Sequence, residues 1–223
     1  AEQIPGFELD DCKWKCQVNA LKYHGDTKVC LNMYDGTPNF LNTVTLLTED
    51  KIRNDLIIHC LENLIKGGHS VFVFTEYRQH AKKLAQIYAK KHKISLIENN
   101  DADEVTVPTS SSSIPSTTSI LMGGATTEEV EQARNSANII FTTYSYCSTG
   151  VSISKMTAMI LATPRKSNTI QLLGRIFRRG YKPDFERVVY DIVDELIGFL
   201  RKQYNIRKLV YKNKGYDLIE QKV

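Results

Sequence analysis

The residues whose types and spacing best suit catalysis lie in segment 171–179, which reads QLLGRIFRR. On a helix, Gln171, Arg175 and Arg178 stand at i, i+4 and i+7 and project from one face. Gly174 between them permits close approach of another backbone. One amide and two guanidinium groups suit a phosphate chain, because guanidinium forks stabilise charge that develops on phosphoryl oxygens. A solvated basic helix would show the same pattern, so the segment alone leaves both interpretations open.

The elements that must position these residues alternate from Glu49 onwards. Hydrophobic periodicity predicts strands at 71–74, 94–97, 120–122, 138–142, 158–162 and 187–193, and helices at 52–65, 77–88, 167–178 and 195–208. Thr126 and Glu129 have the spacing of a capping box at the start of a further helix. This alternation predicts an α/β fold with a mostly parallel sheet and helices on both faces. Ligands of such sheets bind beyond the C-terminal ends of the strands.

Two segments do not follow this alternation. Residues 1–48 show little periodicity and contain turn signals, so we interpret them as an irregular arm or an inter-lobe connection. Residues 49–223 form the predicted domain. Within it, a Ser/Thr-rich insertion at about 99–119 is predicted to be disordered, because its composition cannot bury enough apolar surface to offset its conformational entropy.

The charge distribution favours a polyanionic partner. The net charge of the 223-residue chain is +4, but residues 165–223 carry 14 Lys and Arg against 7 Asp and Glu, whereas residues 1–164 carry 15 against 18. A basic C-terminal third is typical of proteins that bind nucleic acid or phosphate, although a solvated basic face would have the same composition. No apolar run is long enough to predict a membrane span.

Cysteine usage predicts reduced thiols in a cytoplasmic protein. The five cysteines are scattered and odd in number, unlike a disulfide framework. Cys12 and Cys16, with His24 and Cys30, could begin a metal site, but the two-residue knuckle spacing is missing, so no metal is predicted. The lack of an initiator Met predicts that the chain is part of a longer protein.

Combined with other segments, segment 171–179 resembles superfamily 2 helicases, whose sixth motif reads Gln-x-x-Gly-Arg-x-x-Arg. Segment 141–153, FTTYSYCSTGVSI, resembles the family's motif V, and segment 69–76, HSVFVFTE, resembles motif IV. Met122-Gly123-Gly124 fits the strand and turn before motif V. Three motifs in the family's order are more specific than any one of them.

Further segments narrow the resemblance to one group. The motif V form, together with segments 161–165, 189–194 and 207–216, is similar to helicases of large cytoplasmic DNA viruses, including the poxvirus-type transcript-release helicase, and to phage DNA-remodelling helicases. Many family members carry Asp at the position of Ser152 and an acidic residue at Thr149. This departure weakens any assignment of ribose or metal contacts to either position.

The resemblance implies a second RecA-like motor lobe in which Arg175 and Arg178 complete an ATPase site as arginine fingers. It assigns nucleotide contacts to Gln171, Gly150 and Ser152, and contacts with a nucleic-acid backbone to Thr75, Thr143 and Ser148. Tyr144 and Tyr146 could stack on bases, but burial in the core is favoured. The implied partners are DNA or RNA, the first lobe of the same protein and the transcription machinery, and the implied location is the host cytoplasm.

Missing motifs are equally informative. The sequence contains no Gly-x-x-x-x-Gly-Lys-Ser/Thr loop and no Asp-Glu box after a strand. ATP and Mg²⁺ would therefore be bound mainly by the first lobe, and this chain alone should be catalytically inactive. A non-enzymatic nucleic-acid-binding module that uses the basic C-terminal third is the alternative. A Rossmann-type enzyme is disfavoured because no Gly-x-Gly-x-x-Gly follows a strand.

Overall fold

A computed structural model describes residues 15–25, 27–94, 118–148, 153–165, 168–177 and 184–223. Its strands are β1 (Cys16–Tyr23), β2 (Val71–Thr75), β3 (Thr118–Leu121), β4 (Ile139–Thr143), β5 (Ala158–Leu161), β6 (Arg187–Asp194) and β7 (Asp217–Lys222). Its helices are α1 (Phe40–Glu49), α2 (Lys51–Lys66), α3 (Arg78–His92), α4 (Thr127–Ser136), α5 (Tyr144–Ser148), α6 (Thr169–Leu173) and α7 (Gly198–Asn213).

The strands form one sheet in the order β3-β4-β2-β5-β6-β1-β7, and each pairing in it is parallel. This arrangement confirms the predicted α/β fold. Strands β2 to β5 are buried along their whole length, as expected for a parallel sheet covered on both faces. The carboxyl ends of the strands therefore meet at one edge, which we call the C-terminal edge.

Alternate residues of each strand enter two separate cores. On one face, Val71 and Val73 of β2 pack with apolar residues of α2 and α3, and we call this the α2/α3 face. On the other face, Phe72 and Phe74 pack with apolar residues of α4 to α7, and we call this the α6/α7 face. Elements on these two faces are separated by the full thickness of the sheet, so substitutions on them can be made independently.

Capping contacts and a left-handed residue fix the ends of three helices. Thr126 accepts a hydrogen bond from the Glu129 N–H, and the Glu129 carboxylate accepts one from the Thr126 N–H, which confirms the predicted capping box. The Asp50 carboxylate accepts a hydrogen bond from the Arg53 N–H at the start of α2. Lys93 ends α3 with a left-handed backbone (φ 54°). These contacts fix where α2, α3 and α4 begin or end.

The prediction of irregular structure for residues 1–48 is wrong in two places. Cys16–Tyr23 forms an inner strand that pairs with β6 and β7, and most of α1 also lies within this segment. The polar residues of β1, such as Asn19, obscured its strand character, because the strands that pair with it come from the far end of the chain. Residues 1–14 lie outside the described residues.

Two other predictions differ from the structure in extent. The predicted insertion ends earlier than residue 119, because Thr118 and Ser119 are buried residues of β3. Residues 95–117 lie outside the described residues. This range includes most of the predicted insertion and most of the strand predicted at 94–97. Among the helices that the structure describes, none has the length and apolar character needed to cross a membrane.

Candidate functional site

Two candidate nucleic-acid contacts lie side by side at the C-terminal edge. Thr75 ends β2 and Thr143 ends β4, and the two residues are opposite each other in the parallel register. The Thr75 side chain is fully buried and its hydroxyl donates to the Tyr77 carbonyl (2.8 Å). The Thr143 hydroxyl lies 3.2 Å from the exposed Ser145 hydroxyl. Both threonines therefore shape the loops that follow their strands, and Ser145 is the hydroxyl that reaches the surface.

Glycines after β3 allow a close approach to the loop after β2. The Arg78 guanidinium packs so closely against Gly123 that a Cβ on this residue would be only 2.8 Å from it. Gly124 has φ +100°, a backbone conformation that favours glycine. The predicted strand and turn at Met122-Gly123-Gly124 thus packs against the start of α3, directly after the motif IV-like segment.

The loop after β5 joins the loops after β2 and β4. The Thr163 hydroxyl accepts a hydrogen bond from the Glu76 N–H (2.8 Å), and the Tyr144 hydroxyl donates to the Thr163 carbonyl (2.6 Å). The Arg165 guanidinium lies over the Tyr144 ring, 4.9 Å from its centroid, and 3.6 Å from the Glu76 carboxylate. Tyr144 is 1% exposed and stacks on Phe74, so it belongs to the core, as the sequence favours.

The first of three buried arginines fixes the start of the post-β5 loop. Arg53 at the start of α2 makes a two-pronged ion pair with Asp194 at the end of β6, with N–O distances of 2.8 and 3.0 Å. Its remaining terminal nitrogen donates to the Ala162 carbonyl (2.6 Å). A planar guanidinium can bind a carboxylate and a carbonyl at once because its donors have fixed directions.

The second buried arginine repeats this geometry from the opposite face. Arg207 of α7 makes a two-pronged ion pair with Asp191 of β6, at 2.8 Å for both contacts, and donates to the Arg165 carbonyl (2.7 Å). The Tyr211 hydroxyl also donates to Asp191 (2.8 Å). Burial by itself lowers the pKa of Arg207, but the Asp191 charge and hydrogen bonds outweigh burial, and the net pKa is raised.

The third buried arginine holds the far side of the α6 segment. Arg187, the first residue of β6, donates from Nε to the Ile176 carbonyl (2.7 Å) and from a terminal nitrogen to the Phe185 carbonyl (2.6 Å). Together, Arg53, Arg207 and Arg187 bind backbone carbonyls at 162, 165 and 176, and we call these the three arginine–carbonyl contacts. They bracket α6, which carries part of the motif VI-like segment.

The helix predicted at 167–178 is shorter than expected. α6 ends at Leu173, and the N–H groups of Arg175 and Ile176 bond back only three residues, to Leu172 (2.9 Å) and Leu173 (3.1 Å). Such bonds tighten the chain at a helix end and change the angle between successive side chains. Gln171 and Arg175 therefore do not follow a regular i, i+4 helical spacing, although Gln171 is exposed and Arg175 is half-buried.

The other candidate residues are not placed by the structure. Arg178, Gly150 and Ser152 lie outside the described residues, and so does Thr149. Ser148 is the last residue of α5, but its side chain is not described. Their predicted roles in binding nucleotide or nucleic acid stay predictions.

Sequence reasoning missed the arginine–carbonyl contacts. A signal was present, because Asp191 and Asp194 stand in an otherwise apolar strand, and carboxylates that become buried in a sheet need charged or hydrogen-bonding partners. The partners lie far away in the sequence: Arg53 is 141 residues from Asp194. No spacing rule for a single helix or strand connects residues at that separation.

No metal centre is formed by the part of the chain that the structure describes, where no three His, Cys, Asp or Glu side chains are grouped to hold an ion. Cys16 is buried in β1, and burial, with the nearby Glu186 charge, raises the pKa of its thiol to about 12. A thiol with so high a pKa is a poor metal ligand, because thiolate is the form that binds metals.

Two comparisons identify similar proteins. The chain is 30% identical over 219 residues to a protein of African swine fever virus strain Badajoz 1971, provisionally named ATP-dependent RNA helicase QP509L, covering 91% of this chain and 39% of that protein. The homologue from the Kenya 1950 isolate is 30% identical over 211 residues, covering 84% of this chain and 38% of that protein. The chain thus spans well under half the length of these relatives. No family model matches it.

Solved structures show the same fold at low sequence identity. T4 UvsW matches with a TM-score of 0.62 and 18% identity, over 95% of this chain and 42% of that chain. The yeast DEAD-box splicing factor Prp28 matches with a TM-score of 0.52 and 14% identity, over 92% of this chain and 35% of that chain. S. cerevisiae Dbp5 bound to RNA and ADP BeF3 matches with a TM-score of 0.50 and 15% identity, over 95% and 42%.

Proposed function

We propose that the chain is the second RecA-like domain of a superfamily 2 helicase and that it supplies the arginine-finger half of an ATPase site, as its similarity to the viral helicase QP509L and its fold support. In the whole protein, ATP would be held between this domain and a first lobe. Hydrolysis would then loosen the two lobes and move this domain along a nucleic-acid strand. The chain by itself should not hydrolyse ATP.

The set of three arginine–carbonyl contacts is the observation that carries this proposal. The side chains of the three arginines are 2% exposed or less, and they bind backbone carbonyls on both sides of α6. A side chain that stabilises charge only in a transition state must be held in place beforehand, because misplacement by about 1 Å can cost about 100-fold in rate. An ordinary solvated basic helix needs no such support.

The residues around α6 fit the phosphate chain of a nucleotide. Gln171 is exposed and Arg175 half-buried in a segment whose backbone is held at Arg165 and Ile176. We assign Arg175 and Arg178 to the charge that develops on the γ-phosphoryl group, and Gln171 to a supporting hydrogen bond. Gly150 and Ser152 would complete the nucleotide contacts. Mg²⁺ would be held mainly by the first lobe and would neutralise charge between the β- and γ-phosphates.

The C-terminal edge would bind one nucleic-acid strand. The loops after β2 and β4 lie next to each other, and Thr75 and Thr143 hold their shape through internal hydrogen bonds. Hydroxyl and backbone N–H groups in such loops suit phosphate oxygens. Because the side chains of Thr75 and Thr143 are buried, we assign to them the support of these loops, and we propose Ser148 and the exposed Ser145 as the contacts. A role in viral transcription or DNA remodelling in the host cytoplasm is part of the same proposal.

The test of the ATPase proposal uses the full-length protein with a single-stranded nucleic acid present. Replacing Arg178 by Ala should lower turnover by about 10³–10⁵-fold, as for other finger arginines, while nucleotide affinity changes little. Arg178→Lys should also be poorly active, because an ammonium cannot reproduce the planar fork. Arg179→Ala is the control and should keep near-normal turnover. If Arg178→Ala keeps normal turnover, the finger assignment is wrong.

The alternative, a binding module that uses the basic C-terminal third, loses support from the fold. Arg187 and Arg207 are buried and bind carbonyls or Asp191, and Lys208 pairs with Glu220. Three of the 14 Lys and Arg residues counted between residues 165 and 223 are therefore buried or paired, and these three are not available to a polyanion. If the affinity of the wild-type chain for single strands depends on the exposed lysines of α7, the binding-module alternative is supported instead.

A further inference from the structure

Among the helices that the structure describes, α3 and α7 carry several Lys and Arg residues and no Asp or Glu. Between residues 78 and 93 the sequence contains six Lys and Arg and no Asp or Glu. These residues lie in the part of the chain whose net charge is negative, so the overall charge count conceals them.

Only part of this charge is neutralised by neighbours. Lys83 pairs with Glu49 (2.8 Å), and Lys91 pairs with Glu62 (2.7 Å). Lys82, Lys90 and Lys93 form no ion pair with any of the residues that the structure describes. Lys90 and Lys93 are exposed and Lys82 is half-buried. Three positive charges without partners along one helix and at its end repel one another unless an anion lies beside them.

Two of these lysines lie along one side of α3, and the third follows at its C-terminal end. Positions 82, 86 and 90 have the four-residue spacing of a helix face and span about 12 Å along the axis, and Lys93 is the left-handed residue directly after the helix. We call this line, Lys82, Gln86, Lys90 and Lys93, the α3 stripe. Gln86 within it is exposed and polar, so no acidic or large apolar side chain interrupts the line.

A surface groove runs beside the α3 stripe. Its volume is about 460 Å³, and it lies between the start of α2 and the middle of α3, lined by Glu49, Lys51, Asn54, Lys83, Gln86, Ile87 and Lys90. Glu49 is its one acidic residue, and that carboxylate is paired with Lys83. A groove with three lysines and one neutralised carboxylate favours an extended anionic chain over a neutral or cationic ligand.

The position of α3 connects this surface to the proposed strand-binding edge. α3 begins at Arg78, three residues after Thr75 ends β2, and Arg78 reaches Gly123 in the loop after β3. From there the helix runs across the α2/α3 face, away from the C-terminal edge. A strand that crosses that edge and turns onto this face would meet the stripe next.

We propose that the α3 stripe is a second nucleic-acid contact, which binds the phosphodiester backbone of the tracked single strand after it leaves the C-terminal edge. The inference rests on the proposed function. It adds a path over the α2/α3 face and assigns Lys82, Lys90 and Lys93 to consecutive stretches of phosphate. Such contacts raise affinity without regard to sequence.

The size of the effect follows from counterion release. Each phosphate neutralised on a single strand contributes about −0.7 to the slope of log affinity against log salt, so three lysines contribute about −2. Replacing all three by Gln should therefore reduce the slope by about 2. The affinity ratio of wild type to variant should fall about 20-fold between about 50 and 200 mM salt.

The experiment measures fluorescence anisotropy of oligothymidylates with the 223-residue chain over a salt series. Two lengths are used, about 6 nucleotides, enough for the edge alone, and about 20, enough to reach the stripe. The test variant is Lys82→Gln/Lys90→Gln/Lys93→Gln. The control is Lys202→Gln/Lys212→Gln/Lys214→Gln, which removes the same charge from exposed α7 lysines on the α6/α7 face. Circular dichroism checks the fold of both.

For the long strand, the α3 variant should show a smaller slope of log affinity against log salt and a lower affinity than wild type. Its binding of the short strand should be unchanged, and the α7 control variant should bind both strands as wild type does. Equal losses in the two variants would show a general charge effect and overturn the proposal. An α3 variant whose salt slope and affinity for the long strand equal those of wild type would overturn the proposal as well. If that variant still binds both the short and the long strand, the proposed function is unaffected. If neither strand binds wild type, the proposed function fails first. Preference for a blunt duplex over the long strand would also refute a single-strand path.

Discussion

Removing Arg207 tests whether the buried ion pair positions α6 or only stabilises the domain. Arg207→Met deletes the guanidinium between the Asp191 carboxylate and the Arg165 carbonyl, and both partners of the ion pair are at most 2% exposed. Of its side-chain partners in the described part of the chain, the carboxylate then keeps the hydroxyl of Tyr211 alone. Breaking a buried pair from one side costs about 3–5 kcal/mol, because the remaining charge stays desolvated.

That loss is large against the total stability of a domain, which is about 5–15 kcal/mol. For a chain of this size it corresponds to a fall in melting temperature of roughly 6–20 °C. The assay is urea unfolding of the 223-residue chain, followed by circular dichroism. A loss below about 1 kcal/mol would refute the reasoning, because it would mean that water reaches Asp191 after the substitution.

A triple variant separates positioning from stability. Arg207→Met, Asp191→Leu and Tyr211→Phe together remove the charge, its partner and the hydroxyl that would lose its acceptor. Replacing a buried pair by apolar residues is often neutral, so unfolding should return to within about 1–2 kcal/mol of wild type. The Arg165 carbonyl would still lack its contact. In the full-length protein, turnover should therefore fall while the affinity for nucleotide is kept; wild-type turnover would show that this contact does not position α6.

Further predictions concern the backbone and the pH dependence of stability. Gly124→Ala should cost about 1–3 kcal/mol in urea unfolding, because φ is +100°; Gly198→Ala, also in open space but without positive φ, should cost nothing. Burial, with the charges of Arg53 and Lys83, lowers the pKa of His80 from 6.5 to about 3, so stability should fall by up to about 1.4 kcal/mol per pH unit below pH 6.5; His80→Gln should remove that slope. Burial opposes ionisation of Glu220, but hydrogen bonds outweigh it and lower its pKa to about 2. The advantage of wild type over Glu220→Gln should therefore shrink as pH falls from 4.5 towards 2, and an advantage that stays constant would contradict this.

The sequence predicted elements whose periodicity is local. The apolar run at 71–74 and the capping box at Thr126 need only neighbouring residues to be read, and the structure confirms both. β1 was missed because Gln17, Asn19 and Lys22 give it a polar pattern, and its pairing with β6 and β7 supplies the burial that defines it. The order of the strands likewise depends on distant pairings.

The sequence predicted which residues form the candidate site, but not the contacts that hold them in place. Gln171 and Arg175 drew attention because glutamine and arginine at that spacing suit phosphate, yet the end of α6 at Leu173 changes their relative orientation. After α6 the N–H groups of Arg175 and Ile176 bond back three residues, and the Arg187 side chain at the start of β6 then holds the Ile176 carbonyl. Tertiary contacts of this kind involve residues beyond the helix itself, which a local sequence pattern does not include.

The place of β1 between β6 and β7 has a consequence for how the chain acquires its structure. Cys16 pairs opposite Arg187, and the nearby His24 and Glu195 side chains, 2.7 Å apart, are separated by 171 residues. During synthesis the strands from β2 to β5 can pair as soon as they leave the ribosome, whereas β1 waits until β6 has been made. Until then its backbone N–H and C=O groups are an open edge that can pair with another molecule. Because closing so long a loop is slow, we expect β1 to join the sheet late, followed only by β7, and to be the segment that needs a chaperone most.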